Sequence, residues 1–437
     1  MVPFRRNYMS IYALTSLIVF IIVVVGMVFQ KIDRTLIAML GAIFLLGTGI
    51  FPDQIGAIKE YVDYNTLLLL LGMMVFVETL RKTGIFTFLG LSMLRLFGNN
   101  TYTLFISLIF LVALFSGFID NVTTVLVFIP MTFAITDSLN INYLPFVLGE
   151  IFASNIGGMA TIIGDPPNIM IASAAGYSFS EFALIMYPVT LINLVFAILL
   201  LIYFFKEDLS VKIDKEVIKN FDVSHIVENK KEFILSILLF GAVIVAFALQ
   251  HELNLESSTV ALAGGFFSLF ILRPKDLKDT LSKVEWENIL FFFALFLIAG
   301  ALEETGIINA FSNMLVNFAG GSLLLFSFSI LTISSFFTGF LNNVPLVAAM
   351  IPVIEKLSIS ESSIFSNLDP IWYSLSLGAC LGGNLTPIAA SANVIALGLL
   401  TQFKGKTISF WEFSKYGLII LLGNIVISGI YVNFIFF

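Results

Sequence analysis

Charged side chains are scarce in this chain of 437 residues. They make up 12% of it, about half the share of a typical soluble domain. The one cysteine, Cys380, lies in an apolar segment, which excludes a disulfide framework and a cysteine-based metal cluster. Both histidines, His225 and His251, fall between apolar runs, so the sequence predicts no histidine site inside a membrane. The net charge of −7 gives no sign of a nucleic-acid partner.

Apolar residues are abundant instead. They form 59% of the chain, and the mean hydropathy is +1.02. These values predict a polytopic membrane protein whose surroundings are a lipid bilayer. The first apolar run, 11–29, follows Arg5 and Arg6. We interpret it as a retained span, because it is long and no small-residue cleavage site follows it.

A helix needs about 20 apolar residues to cross a bilayer. The candidate spans are 11–29, 35–51, 65–80, 144–175, 183–205, 233–249, 257–272, 286–303, 371–399 and 414–436. Two further apolar stretches, 101–136 and 323–355, are interrupted by the tips S-G-F-I-D-N-V-T and T-G-F-L-N-N-V-P. Each is predicted to be a re-entrant hairpin. The short amphipathic stretches 85–97 and 307–318 are predicted to lie in the membrane interface.

The chain repeats itself. A shift of 222 residues places Gly117 on Gly339 and Asn121 on Asn343, and a shift of 225 places Gly157 on Gly382, Thr161 on Thr386 and Asn168 on Asn393. The predicted units are a first transmembrane repeat over 8–205, a linker over 206–232 and a second repeat over 233–437. We therefore expect an all-α polytopic membrane protein in which each repeat has five transmembrane helices, one of them discontinuous, and one re-entrant hairpin.

Five crossings per repeat would invert the second repeat. With that topology, 18 of the 22 Lys and Arg residues fall on one face, which the positive-inside rule makes cytoplasmic. The linker 206–232 is then cytoplasmic and both chain ends lie outside a prokaryotic cytoplasmic membrane. Inverted repeats with broken helices are typical of secondary transporters.

The segment 144–175 would be roughly 48 Å long as one straight helix, whereas the hydrocarbon core is about 30 Å thick. A break is therefore expected, at the helix-breaking residues Gly157, Gly158, Gly164, Pro166 and Pro167, with Gly382, Gly383 and Pro387 in the second repeat. Glycine allows conformations that other residues avoid. The half-helix after Pro166 is predicted to aim its amides at an anion. Alternatively, these residues only permit a kink or close packing.

Three acids fall in apolar surroundings, namely Asp120, Glu150 and Asp165. Such acids indicate function by default, and no Lys or Arg lies beside them in the sequence. The repeat partners of Asp120 and Asp165 are Asn342 and Ala390, which are not acidic. We predict proton or Na⁺ coupling through Asp120 and Asp165, with Glu150 a weaker candidate. Asp165 could instead cap a half-helix, and Glu150 could face water near the cytoplasmic end.

Four motifs carry a resemblance to a known family: D-N-V-T-T-V-L-V-F-I-P, N-I-G-G-M-A-T-I-I-G-D-P-P-N-I-M-I, N-N-V-P and G-A-C-L-G-G-N-L-T-P-I-A-A-S-A-N-V. They resemble the ArsB/NhaD group of the ion-transporter superfamily, which includes arsenite permeases, Na⁺/H⁺ antiporters and the melanosomal P protein, with a CitMHS-type domain. The resemblance implies a dicarboxylate-transporter-like fold in a homodimer that moves by an elevator.

By position, the resemblance implies substrate and ion ligands in both repeats. The candidate residues are Asp120, Asn121, Thr123, Thr124, Asn155, Thr161, Asp165, Asn168, Asn342, Asn343, Thr386, Ser391 and Asn393. The tip amides and threonines could instead only tie the hairpin turns together. The first tip carries Asp120 where the dicarboxylate carriers have a Ser-Asn-Thr tip, and an acid there disfavours a dianionic substrate. Leu385 and Pro387 also depart from the expected pattern.

The sequence therefore predicts a secondary transporter for a small inorganic ion or oxyanion of the arsenite or antimonite type, coupled to H⁺ or Na⁺. A Na⁺/H⁺ antiporter is the alternative, and a Na⁺-coupled di- or tricarboxylate carrier is third. An enzyme is not expected, because the single Gly164-Asp165 fragment does not make a two-acid protease site. No cofactor is predicted beyond a coupling Na⁺ or H⁺.

Overall fold

The computed structural model describes residues 2–29, 32–98, 100–211, 213, 229–274, 277–318, 322–358, 365 and 367–437. This part of the chain is helical and contains no strand, which confirms the all-α expectation. The first half holds α1 (Val2–Phe29), α2 (Arg34–Gly47), α3 (Gln54–Tyr61), α4 (Tyr64–Arg81), α5 (Ile85–Phe97), α6 (Thr101–Ser116), α7 (Asn121–Ser138), α8 (Leu144–Gly158), α9 (Pro166–Ala175) and α10 (Phe179–Phe204).

After the short helix α11 (Lys206–Leu209), the second half repeats the same order. It holds α12 (Lys230–Leu249), α13 (Ser257–Leu272), α14 (Leu277–Ser282), α15 (Trp286–Glu304), α16 (Ile307–Phe318), α17 (Leu323–Thr338), α18 (Asn343–Ser358), α19 (Asp369–Gly382), α20 (Ser391–Lys404) and α21 (Phe410–Phe436). Each helix from α1 to α10 thus has a counterpart among α12 to α21. The repeat boundaries and the inverted orientation in a membrane stay predictions, and most of the linker 206–232 lies outside the described residues.

Both long apolar segments are broken, as expected. The segment 144–175 divides into α8 and α9, and 371–399 divides into α19 and α20. Pro166 and Pro167 occupy the first two positions of α9. At those positions a missing N–H costs nothing, and the fixed φ of proline suits a helix start. The prolines therefore begin the second half-helix, and the unwound backbone lies before them.

The two predicted hairpins are helix pairs joined by short tips. Asp120 caps the first tip, since its Oδ1 accepts from the backbone N–H of Thr123 at 2.9 Å. Asn342 holds the equivalent place in the second tip with a left-handed φ of 55°. Asparagine tolerates that region better than most residues, and its Oδ1 accepts from the Val344 N–H at 3.2 Å. Whether the hairpins are re-entrant stays a prediction.

Helices of the two halves pack on each other in pairs that correspond between the repeats. α13 lies along α4 just as α2 lies along α15, and α20 packs on α7 just as α9 packs on α18. α4 and α13 cross closely at Gly72 of α4, where an added Cβ would lie 2.4 Å from the backbone carbon of Ala261. Glycine at this crossing lets the two backbones approach, as small residues do in membrane bundles.

Six described helices are long and apolar enough to cross a membrane: Tyr64–Arg81, Asn121–Ser138, Phe179–Phe204, Lys230–Leu249, Trp286–Glu304 and Phe410–Phe436. Their apolar side chains are extensively exposed on the protein surface, with Leu199 61% and Phe434 82% accessible. Such faces suit lipid and would be unfavourable in water. The chain is therefore built as an integral membrane protein, while the sidedness of its ends stays a prediction.

The substitution Gly72→Ala is expected to lower the yield of folded protein and its thermal midpoint in detergent. The new methyl group has only the backbone of α13 to move against, and overpacking of this kind costs about 1–3 kcal/mol. Gly398→Ala in α20 is the matched control, because nothing lies within 4 Å of its added Cβ. Equal midpoints for the two variants would show that the α4–α13 crossing is looser than described.

Candidate functional site

A cavity of about 90 Å³ lies where both breaks and both hairpin tips meet. One side is formed by the tip before α7, the start of α9, the tip before α18 and the start of α20. The other side is formed by α2, α4 and α15. We call it the inner cavity. Its polar lining residues are Arg34, Asp120, Asn121, Asp165, Glu285, Asn288, Asn342, Asn343 and Ser391.

Asp165 is the acid at the first break, and it is 3% exposed. It stands at the N-cap position of α9 but makes no side-chain capping bond there. Instead, Asn343 from the second tip donates its Nδ2 to both carboxylate oxygens at 3.2 Å. The capping alternative for Asp165 is therefore wrong, and its carboxylate is held across the two halves of the molecule.

Asp120 lines the same cavity and also caps α7, so in this residue capping and exposure to the site coexist. Its neighbour Asn121 is held at the first break. With its amide oriented to donate, Asn121 bonds the carbonyls of Gly164 and Ser154 at 3.1 Å each. The first tip is thereby fixed against the first break. Thr123 and Thr124 stabilise the same turn. The Thr123 N–H donates to Asp120 Oδ1, and the Thr124 hydroxyl donates to the Asp120 carbonyl at 2.9 Å.

One threonine in each half ties the hairpin tip to the break beside it. Thr161 Oγ1 donates to the Gly117 carbonyl, and Thr386 Oγ1 donates to the Gly339 carbonyl at 2.6 Å. Both threonines are buried. Their hydroxyls supply partners to carbonyls that the ended helices α6 and α17 leave open.

Two asparagines span the breaks in the same paired way. Asn168 Nδ2 donates to the carbonyls of Gly158 and Thr161 at 3.2 and 3.1 Å. Asn393 Nδ2 donates to the carbonyls of Gly383 and Thr386 at 2.7 and 2.9 Å. Each side chain thus closes its own break by bonding the end of the half-helix before it.

The breaks also contact each other through Asn155 of α8. Its Nδ2 donates to Asn384 and Asn393 Oδ1 at 3.0 Å each. Its counterpart at the 225-residue shift is Cys380, whose thiol contacts Asn168 Oδ1 at 3.4 Å. The candidate residues that line the inner cavity are Asp120, Asn121, Asp165, Asn342, Asn343 and Ser391. The others lie in the framework behind it, namely Thr123, Thr124, Asn155, Thr161, Asn168, Thr386 and Asn393.

Arg34, Glu285 and Asn288 were not among the candidate residues from the sequence, where Arg34 was assigned to a cytoplasmic loop. The Arg34 guanidinium donates to Ser391 Oγ at 2.8 Å and to Asn288 Oδ1 at 2.7 Å. Asn288 in turn donates to Glu285 Oε2. The acids of the site do have a basic residue nearby, although none lies beside them in the sequence. Only the pairing of α2 with α15 reveals it.

Glu150 lies apart from the inner cavity. It is 0% exposed, so the expectation that it could face water is wrong. Thr132 Oγ1 donates to its Oε1, while Oε2 has no hydrogen-bond partner. A buried charge without partners is costly, and this surrounding suits the neutral acid.

Two expectations about the breaks are corrected. None of Gly157, Gly158, Gly164, Gly382 and Gly383 has a positive φ. They are needed for close approach, since a Cβ on Gly157 would lie 2.2 Å from the Ala113 carbonyl oxygen. The anion site predicted at the start of α9 also has fewer free backbone N–H groups than expected. Pro166 and Pro167 lack N–H groups, and the Asn168 N–H already bonds the Asp165 carbonyl at 2.9 Å.

An all-helical bundle with paired breaks around a central cavity that carries polar groups is the architecture of a membrane transporter. Comparison with known proteins agrees. The chain is 34% identical over 426 residues to an uncharacterized transporter of Mycobacterium bovis, covering 97% of this chain and 98% of that one. It is 29% identical to the human P protein over 471 residues, covering 89% of this chain and 56% of the P protein.

A solved structure shares the fold. The YdaH transporter of Alcanivorax borkumensis superposes with a TM-score of 0.60 at 14% identity, covering 90% of this chain and 89% of the other. Residues 24–378 match the family described as citrate transporter, CitMHS. The chain belongs to this family of membrane transporters and is not an enzyme.

Thr386→Val is expected to lower the thermal midpoint in detergent. The change keeps the shape but leaves the Gly339 carbonyl without its partner, a loss of about 1–3 kcal/mol for a buried group. Thr401→Val is the control, because the exposed Thr401 hydroxyl bonds only its own helix at Leu397. If both variants unfold at the wild-type temperature, the tie between tip and break contributes no stability.

Proposed function

We propose that this protein is a secondary active transporter for a small inorganic ion or oxyanion of the arsenite or antimonite type, with H⁺ or Na⁺ as coupling ion. The observation that carries the proposal is the Asp165 carboxylate, which is enclosed at the inner cavity and held by Asn343 from the opposite half. A movement of one half against the other would change the surroundings of this carboxylate directly.

The chemistry of Asp165 supports coupling. An ionised carboxylate in apolar surroundings is costly unless it is neutralised. The two hydrogen bonds from the side-chain amide of Asn343 offset part of that cost without supplying a charge. A proton or Na⁺ would supply it, and amide and hydroxyl oxygens at the two tips are ligands that suit Na⁺. Asp120 provides a second acid on the same wall.

The size of the cavity supports a small solute. At about 90 Å³ it is well below the roughly 300–1,000 Å³ of sites for drug-sized ligands. Citrate, from which the family takes its description, would bring several negative charges beside Asp120, Asp165 and Glu285. We therefore rank a di- or tricarboxylate carrier below a carrier of small oxyanions.

A Na⁺/H⁺ antiporter is the second candidate. It is favoured by the three acids on the lining, Asp120, Asp165 and Glu285, against one base, Arg34. In that case the cation would be the solute rather than the coupling ion, and exchange with protons would take place at the same carboxylates. An elevator movement in a homodimer is the associated proposal for both candidates.

Asp165→Asn is expected to reduce gradient-driven flux in proteoliposomes by about tenfold or more, since a change of about 1.4 kcal/mol is already tenfold. The amide keeps the size of the side chain but can neither carry the proton nor balance a cation. The assay would compare arsenite, Na⁺ and citrate as solutes under pH and Na⁺ gradients, with wild-type protein in parallel.

Asp53→Asn is the matched control for the same acid-to-amide change. Asp53 caps α3 through the Ile55 N–H at 3.1 Å, and asparagine caps a helix about as well as aspartate. Its flux should stay at the wild-type value. Full coupled flux in Asp165→Asn would refute the role given to this carboxylate.

A further inference from the structure

A second, wider cavity adjoins the inner one at Arg34. It measures about 310 Å³ and is lined by the end of α1, the second tip and the start of α20. We call it the outer cavity. The residues that line both cavities are Arg34, Asn342 and Ser391. Arg34 is the one cation among them, and its guanidinium bridges Ser391 of α20 and Asn288 of α15.

The hydrogen bonding of Arg34 leaves its charge without a direct counter-charge. Both acceptors described for the guanidinium are neutral, a hydroxyl and an amide oxygen. Its carbon also lies 5.3 Å from the centre of the Phe291 ring, a favourable but weak contact for a cation. An anion would form shorter, charge-assisted bonds about twice as strong as neutral ones, so it could displace Ser391 and Asn288.

The acids that line the inner cavity are each engaged by donors of the protein. Asp120 accepts from the Thr123 N–H, Asp165 from Asn343, and Glu285 from Asn288. Their repulsion of an anion is therefore reduced by these bonds, and protonation would reduce it further. Of the described residues that line the inner cavity, Arg34 is the one cation. Asp33 lines the outer cavity next to it, and its carboxylate accepts from the N–H groups of Thr35 and Leu36.

The N-terminus of α20 lies at the same place and also favours an anion. α20 begins at Ser391, and its first two residues, Ser391 and Ala392, both line the inner cavity. Neither is proline, so both carry N–H groups where a helix leaves its first amides unsatisfied. The corresponding start of α9 has Pro166 and Pro167 instead. The two breaks thus differ in their capacity to bind an anion.

We propose that Arg34, with the start of α20, selects anions at the passage between the outer and inner cavities and opens that passage when an anion replaces Ser391 as its acceptor. The solute class is a small oxyanion that can accept two N–H bonds from one guanidinium. This inference deepens the proposed function, since it takes the inner cavity as the solute site. It would disfavour Na⁺ as the transported solute.

The test is thiol labelling of a cysteine placed in the inner cavity, without any solute gradient. Ala390→Cys lines that cavity, and the one native cysteine, Cys380, is buried, so the chain without the substitution gives the blank. The measured quantity is the ratio of labelling rates for sulfonatoethyl methanethiosulfonate, an anion, and trimethylammonioethyl methanethiosulfonate, a cation. Adding Arg34→Gln should lower this ratio by about tenfold. This is the lower limit of the change in association rate that charges lining a cleft produce for a charged molecule.

Three controls keep the test decisive. Arg34→Lys retains the charge and should retain most of the ratio, even if Arg34→Gln folds poorly. Ser391→Ala removes one acceptor and should not lower the ratio. Ser257→Cys lines a different cavity, so its ratio should not respond to Arg34→Gln.

An unchanged ratio at Ala390→Cys in the Arg34→Gln variant would overturn the proposal, and so would the absence of labelling by either reagent in the wild-type background. Because no transport is measured, the result separates the two claims. A lowered ratio together with uncoupled flux would leave Arg34 as the anion-selecting residue and remove only the coupling role of Asp165.

Discussion

Backbone polar groups that leave a helix inside an apolar bundle must each find a partner, because neither lipid nor apolar side chains can supply one. This requirement shapes the centre of the molecule. The two breaks and two tips meet at one place, where their side chains bond the backbone carbonyls that the ended helices leave open. Thr161 and Thr386 bond tip carbonyls, and Asn168 and Asn393 bond the ends of the preceding half-helices. The inner cavity lies where this network holds the unwound segments.

The network is paired between the halves, whereas three of the four charged residues on the cavity lining have no counterpart of like charge. The 222-residue shift places Asp120 opposite Asn342 and Arg34 opposite Glu256, and the 225-residue shift places Asp165 opposite Ala390. The threonine and asparagine ties appear twice because both copies of the fold need them. Among the charged groups of the inner cavity, only Glu285 has a counterpart of like charge, Asp63. The fold therefore explains the polar framework, and the charged residues are what a particular solute and coupling ion would require.

The sequence predicted much of this arrangement. Apolar length located the helices, and internal repetition identified the four interruptions, including both hairpin tips and the positions of Asp120 and Asp165. Backbone conformation and long-range contacts were harder to predict from the sequence. Glycines in G-G pairs suggested unusual backbone angles, whereas Gly157 is needed for contact with Ala113. Arg34 was missed because its partners, Ser391 and Asn288, are more than 250 residues away along the chain. No local pattern contains such a contact, which depends on how α2 packs against α15 and α20.

The central claim is that a carboxylate shared between the two halves at the inner cavity couples the solute to an ion. Exchanging the partners in the double variant Asp165→Asn with Asn343→Asp tests it most directly, because the acid–amide contact is kept while the acid moves to the other half. The account predicts that gradient-driven flux in proteoliposomes recovers well above that of Asp165→Asn alone. A folded double variant with no more flux than Asp165→Asn would contradict the claim.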